Sequence, residues 1–462
     1  MQSTIQAIPV SSDRLSPKPN HDLKHIPGPK GHWLSGNAKG LMPNLGPFIR
    51  NAQTKYGNCF TIGLFRNQRV LILVGAGANE RVLLDRNDDF STRWGWQILH
   101  AFFGRNLLVR DFEDHRQHRR LMNHMFKPAV LAQYLEQMNP LIAASVDGYR
   151  GDVDVYRQTK QLAMDIAIDV FAGIEPGAES VACNHDLNEI LSNAMAHRIR
   201  LPGTGYWRGL KARDRLSERL LQTLRTRRGQ AGADLFSQLA NETDEDGAVL
   251  SDQDVIDHML GMLFAAHDTT ASSLAMIFWL LAKHPEWQVA LRDECQMLHR
   301  KTGSPHLHYA DLDQLPKVEW VFKEALRMYS PIQIIPRRTV RELEHEGHRI
   351  PANTWVMLIP QATHFNDHYF DDPEEFSPQR FDEDSNEYRQ SEPFAFVPFG
   401  RGIHMCLGMH FAHMEVKAVL YQLLLSRHLS PSNGQGLDLE YLPLVRPKHR
   451  MDVKFLERTP TS

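Results

Sequence analysis

Cysteine is scarce in this chain, with four residues among 462: Cys59, Cys183, Cys295 and Cys406. They lie far apart and form no C-x-x-C pair, so neither a disulfide framework nor a zinc site is expected, and a reducing, cytosolic compartment fits. An excess of one charge is also lacking. Lys and Arg number 52 against 55 Asp and Glu, a net charge of −3, and the basic residues are spread out, which argues against a nucleic-acid partner. Long apolar runs are missing as well. The longest helical one, Ala275 to Ala282, falls far short of the roughly 20 residues of a membrane span, and residues 1–25 hold no stretch fit for a signal peptide. A soluble, cytoplasmic chain without a membrane anchor is expected, beginning with a disordered polar tail over 1–25. No repeat or linker divides the remainder, so 26–462 reads as a single domain.

What is present is mainly helical. After the turn-rich "IPGPKG" a helix is expected to end at Tyr56-Gly57, and "CFTIGLF" and "RVLILVG" read as a hairpin. From about Asn79 to Arg300 the pattern has mostly the helical period. Strand-like pieces return as "IQIIPRRTV" and "TWVMLIP", and Phe370 to Pro398 lacks periodicity and should be an ordered, irregular meander. The longest helix candidate opens at Ser251, a capping residue with Asp252 and Asp254 behind it, and runs to Lys283. Apolar residues on almost every side mark it as buried through the centre of the fold.

Three constellations carry chemistry. Inside the central helix, "AAHDTT" sets the mediocre helix formers His267, Asp268, Thr269 and Thr270 behind two small alanines, a local conflict of the kind that marks functional sites. In "EALR", Glu324 and Arg327 are spaced to pair on one helix face, and Glu324 falls in the apolar stripe of Val321 and Met328, so the pair should be buried and need a further partner, which Arg380 offers. In "FGRGIHMCLG", Cys406 lies between Gly402 and Gly408 at the start of a helix, where the dipole favours a thiolate, the form that binds a metal. The glycines leave room for a planar group, and Phe399 is placed to shield the sulfur.

These patterns, in this order, resemble the cytochrome P-450 superfamily of haem-thiolate monooxygenases over most of the chain from about Ile26. Phe399, Gly402, His404, Cys406 and Gly408 match the haem-binding pattern F-x-x-G-x-[RH]-x-C-x-G; "AAHDTT" is similar to the oxygen-activating [AG]-G-x-[DE]-T, and "EALR" and "PQRF" to the elements that form a Glu324, Arg327, Arg380 lock. Ala266 stands where the family usually has glycine, and Gln379 where it has glutamate. The resemblance implies a mainly α fold with small β-sheets, a triangular prism of helices around a buried haem b (iron protoporphyrin IX) whose axial ligand is the Cys406 thiolate.

It further implies that His115, Arg119, Arg337 and His404 bind the haem propionates, with Arg338 the neighbouring alternative to Arg337. Ala265, Phe399 and Gly408 would line the cofactor. Thr269 would meet the bound dioxygen and Asp268 would feed its proton relay. Trp94, Trp96, Ile98, Phe102, Leu263, Phe264 and Ile332 to Ile335, among them Ile334, would surround an apolar substrate of lipid, terpenoid or steroid type. Electrons from NAD(P)H would arrive through a separate ferredoxin or flavodoxin-type donor with its reductase, steered by Arg116, Arg119, Arg120 and Lys127 onto a monomeric enzyme. The alternatives are a haem-thiolate sensor or carrier, which has no need of the Asp268 and Thr269 pair, and a peroxide-driven relative, in which that pair is commonly altered.

Overall fold

The computed structural model describes residues 15, 18–41, 45–194, 196–243, 247, 249–432 and 436–457. The central helix, Asp252–Lys283, is capped by the Ser251 hydroxyl, which accepts the Asp254 N–H at 3.1 Å. Its last two turns are apolar all round, and Leu274 to Ala282 are buried in one continuous core. Helices Val155–Ile166, Pro316–Tyr329 and Met409–Ser426 pack against it. Burial of this kind, rather than intrinsic propensity, holds so long a helix in place.

The expected hairpin forms from Cys59–Gly63 and Arg69–Leu73, antiparallel with Cys59 opposite Leu73. It belongs to a five-stranded sheet completed, in order, by Trp355–Leu358, Ile335–Thr339 and Phe90–Ser91. The strand-like pieces on either side of residue 340 therefore pair with each other, Ile335 opposite Leu358. Helix Leu45–Tyr56 ends just before Gly57, as expected.

Two expectations need correction. A disordered tail is expected over residues 1–25, but Leu23 is fully buried and Asn20 bridges to Thr354, so the tail is anchored on the sheet at these two residues; 1–14, 16 and 17 lie outside the described residues. The stretch 370–398 is not wholly irregular, because helix Asn386–Gln390 forms where the Ser385 hydroxyl accepts the Tyr388 N–H.

Candidate haem-thiolate site

The loop before Cys406 is folded by its own backbone. Gly400 and Gly402 have φ of +67° and +68°, and the Cys406 N–H donates to Phe399 O at 2.8 Å, closing the turn around the sulfur. Gly402 serves packing more than ligand space: a Cβ there would lie 2.2 Å from Leu83 O, on helix Ala76–Leu84. Gly408 differs, since nothing lies within 4 Å of where its Cβ would be, which leaves a hollow beside the loop. Cys406 keeps accessible surface although it sits deep inside the protein. Burial pushes its thiol up, against the pull of the Gly408 N–H and the Arg119 charge. The expectation that the helix end keeps the sulfur ionised is thus incomplete, for the helix proper begins only at Met409 and burial opposes the charge.

Beside this loop, basic groups converge from three elements. His115 and Arg119 lie on helix Phe112–Asn123, Arg337 on strand Ile335–Thr339, and His404 on the turn Gly402–His404. The His115 and His404 rings are 3.9 Å apart, and Arg119 Nη1 donates to Met405 O at 2.6 Å. His115 is held neutral, its pKa pushed down to about 3 by burial and then by Arg119 and Arg337, and His404 is pushed well down for the same reasons. Both therefore act as hydrogen-bonding groups, and the positive charge comes from the two arginines. Arg337 is only 4% exposed, donates to Pro336 O at 3.0 Å, and its pKa is lowered to about 10 by burial. The buried His115 Nδ1 has no partner. A buried guanidinium and an orphaned imidazole nitrogen around a hollow fit the carboxylates of a haem. Arg338, on the opposite face of the strand, lies 5.2 Å over the Trp94 ring instead.

The lock is fully assembled. Arg327 donates to both Glu324 oxygens, Arg380 Nε reaches Glu324 Oε1 at 3.2 Å, and the Ser377 N–H adds a bond at 2.8 Å. Arg327 also donates to His364 O, Pro373 O and Glu375 O, which ties the meander to helix Pro316–Tyr329. Arg380 pairs in addition with Glu387, a partner the sequence did not suggest. Gln379 is exposed, so its departure from the family pattern leaves the lock untouched.

In the central helix Thr269 Oγ1 donates to Ala265 O at 2.6 Å. Ala265 is exposed although it lies in the middle of the central helix. Asp268 turns to helix Val155–Ile166, where Lys160 Nζ is 3.1 Å from its Oδ1; His267 Nδ1 is 3.2 Å from the same oxygen. Sequence reading missed Lys160, because a contact between helices leaves no local signal. It also missed Glu415, a buried carboxyl bonded to the Thr270 hydroxyl and pushed up by burial to about 8.

The expected substrate contacts divide. Trp96, Ile98, Phe264, Ile332 and Ile334 keep partial surface, with Phe264 stacked on Phe103 at 4.3 Å. Phe102 and Leu263 are buried in the packing behind them, Phe102 edge-on to Tyr206 at 5.2 Å. Trp94 is held between Arg93 and Arg338. The basic docking surface is largely spent: Arg116 pairs with Asp88 and Glu113, Arg120 with Glu113, and Arg119 points inward, leaving exposed Lys127.

Comparison with known proteins agrees with this geometry. The family described as Cytochrome P450 matches residues 26–455. A Mycobacterium tuberculosis chain classed as cytochrome P450 136 is 36% identical over 365 residues, 76% of this chain and 72% of that one. The taxane 10-beta-hydroxylase of Taxus cuspidata is 28% identical over 95% of this chain and 92% of its own. Among solved structures, retinoic acid bound cyanobacterial CYP120A1 superposes with a TM-score of 0.84 at 26% identity, covering 94% of this chain and all of the other.

Proposed function

The chain belongs to the cytochrome P450 family and is a cytochrome P450 monooxygenase, and from that premise we propose that residues 26–462 act as one cytoplasmic, monomeric catalytic domain that inserts an oxygen atom from O2 into a ring-bearing apolar molecule of terpenoid, steroid or other lipid type. Electrons come from NAD(P)H through a separate ferredoxin or flavodoxin-type donor and its reductase. Taxane hydroxylases of Taxus and a retinoic acid complex among the similar proteins support a cyclic isoprenoid. So do the half-buried Trp96, Ile98, Phe264, Ile332 and Ile334, which are all apolar.

The observation that carries the reading is the convergence of Cys406 with the half-buried Arg119 and the buried Arg337 and His115. Bound at Cys406, haem b supplies the electron-rich thiolate-ligated iron that oxygen chemistry requires. The protein's own groups do the rest. Arg119 and Arg337 neutralise carboxylates, and His115 and His404 hydrogen-bond them. Thr269, whose hydroxyl proton is held by Ala265 O, can pass a proton to a bound group once that bond turns away from the backbone. Asp268, restrained by Lys160, reaches that hydroxyl chain only when the ion pair loosens, which makes the pair a gate on proton entry. The apolar side chains keep stray water out.

The test is a ligand screen on the haem-loaded protein that follows the Soret band as bound water is displaced, with product analysis of the hits. Saturable shifts with cyclic isoprenoids, followed by substrate-dependent oxygen uptake and a hydroxylated product, are expected. Shifts confined to small polar ligands would refute the substrate class.

A further inference from the structure

The largest exposed apolar side chains near the N-terminal end of the described chain sit together on two interlocked loop tips. Trp33 is 73% exposed, Leu34 41% and Phe65 62%. The first two ride a tight turn in which His32 and Gly36 exchange backbone hydrogen bonds of 2.9 and 2.8 Å. Phe65 is at the tip of the hairpin, followed by Arg66 in the left-handed region at φ 56°.

The tips are bolted to each other. Arg66 N–H donates to Leu34 O at 2.7 Å, Asn37 N–H to Gly63 O at 2.7 Å, and Gly63 N–H to Asn37 Oδ1 at 2.8 Å. Gly36, at φ +58°, lies so close that a Cβ would come within 2.3 Å of both Gly63 O and Leu64 O. Three large apolar groups are thus held rigidly outward by backbone contacts. Rigid exposure of this kind has no role in the packing of the chain itself.

Charge along the segment that carries the tips is one-sided. Between Asp22 and Glu80 the sequence has no acidic residue and seven Lys or Arg, in a chain whose net charge is −3. Arg50 of these pairs with Glu374, whereas Lys30, Lys39 and Arg66 are exposed and make no ion pair among the described residues. Arg66 lies 5.4 Å from the Phe65 ring, and His32 packs beside Trp33, so polar groups rim the apolar ones.

We propose that the paired tips bearing Trp33, Leu34 and Phe65 are a peripheral docking site for an anionic lipid bilayer. Aromatic and apolar side chains enter the headgroup boundary, where tryptophan is favoured, while Lys30, Lys39 and Arg66 meet lipid phosphates. Among the described residues no helix is long and apolar enough to cross a membrane, and the site proposed here is an interfacial one. This surface is distinct from the Cys406 site and does not depend on the substrate class proposed above.

The experiment is sedimentation of the full haem-loaded chain with vesicles of phosphatidylcholine, alone or with about 30% phosphatidylglycerol. Binding is expected to the anionic vesicles and to weaken in about 0.5 M NaCl. The triple variant W33S/L34S/F65S should bind at least about tenfold more weakly, as should K30Q/K39Q/R66Q, both with unchanged thermal midpoints and carbon monoxide spectra because the altered side chains are exposed. Equal binding to neutral and anionic vesicles, or undiminished binding by the triple variant, would overturn the proposal. So would failure to bind any vesicle, and self-association abolished by W33S/L34S/F65S would then reassign the surface to a protein partner.

Discussion

Arg327 and Glu324 form a two-pronged ion pair at complete burial, Nε to Oε2 at 2.8 Å and Nη2 to Oε1 at 2.9 Å, with neither side chain exposed at all. Such a pair stabilises only while both members remain, since either one alone is an uncompensated charge in a medium of low polarity. Glu324 also accepts from Arg380 and Ser377, so its removal leaves Arg327 without a carboxylate and Arg380 with Glu387 alone. Glu324→Ala and Arg327→Ala are each expected to cost about 3–5 kcal/mol in denaturant unfolding. A loss below about 1 kcal/mol would show the network to be ornamental, as exposed pairs are.

Cys406→Ser keeps the size of the side chain and the turn closed by Phe399 O, so the protein should fold. A neutral hydroxyl does not replace a thiolate. Reduced protein under carbon monoxide should lose the thiolate-type absorption, and retention of that band would sink the assignment of the ligand.

Removing the Thr269 hydroxyl leaves Ala265 O without its side-chain donor and takes away a proton carrier. Thr269→Ala should divert reducing equivalents from product to peroxide, read as the ratio of NAD(P)H consumed to product formed. Thr269→Ser should restore most of the coupling. Identical ratios in all three proteins would remove Thr269 from the proton path.

Arg337→Gln deletes one of two charges placed to neutralise the haem carboxylates, in a position where burial has already lowered the arginine's pKa to about 10. Transfer of haem to an apoglobin acceptor should speed up by about tenfold or more. Arg338→Gln, which instead faces Trp94, should change it little. Equal rates for both variants would contradict the placement.

Glu415 gives a pH test. Burial raises its carboxyl from 4.5 to about 8, so between those values the folded chain holds a proton that the unfolded chain has released. Its contribution to stability is present below about pH 4.5 and is lost progressively as pH rises to about 8. Glu415→Gln, a neutral isostere, should flatten that slope and be the more stable protein at pH 8. Parallel pH profiles for the two proteins would show that Glu415 is ionised in the fold.

Much of this was legible locally. The Ser251 cap, the all-round apolar pattern to Lys283, and the three-residue spacing that pairs Glu324 with Arg327 are consequences of helical geometry, which a sequence encodes residue by residue. Gly402 shows where local reading fell short: the residue was identified, but its reason is the carbonyl of Leu83, more than three hundred positions away. Phe102 and Leu263 show it again, because an apolar residue beside a cavity and one packed behind its wall look alike in sequence.

By itself the sequence singled out Cys406, through its resemblance to the family's haem-binding pattern, together with the helix that runs through the core and the members of the buried lock, which rest on short-range spacing and side-chain chemistry. Only the tertiary structure decided that Asp268 is restrained by Lys160, that Arg337 rather than Arg338 turns to His115, that Glu415 is buried against Thr270, and that Trp33 and Phe65 share one rigid exposed edge. The physical reason is the same in every case. Charge, burial and contact depend on which distant segments the packing brings within a few ångströms, and that distance is set by the whole core at once.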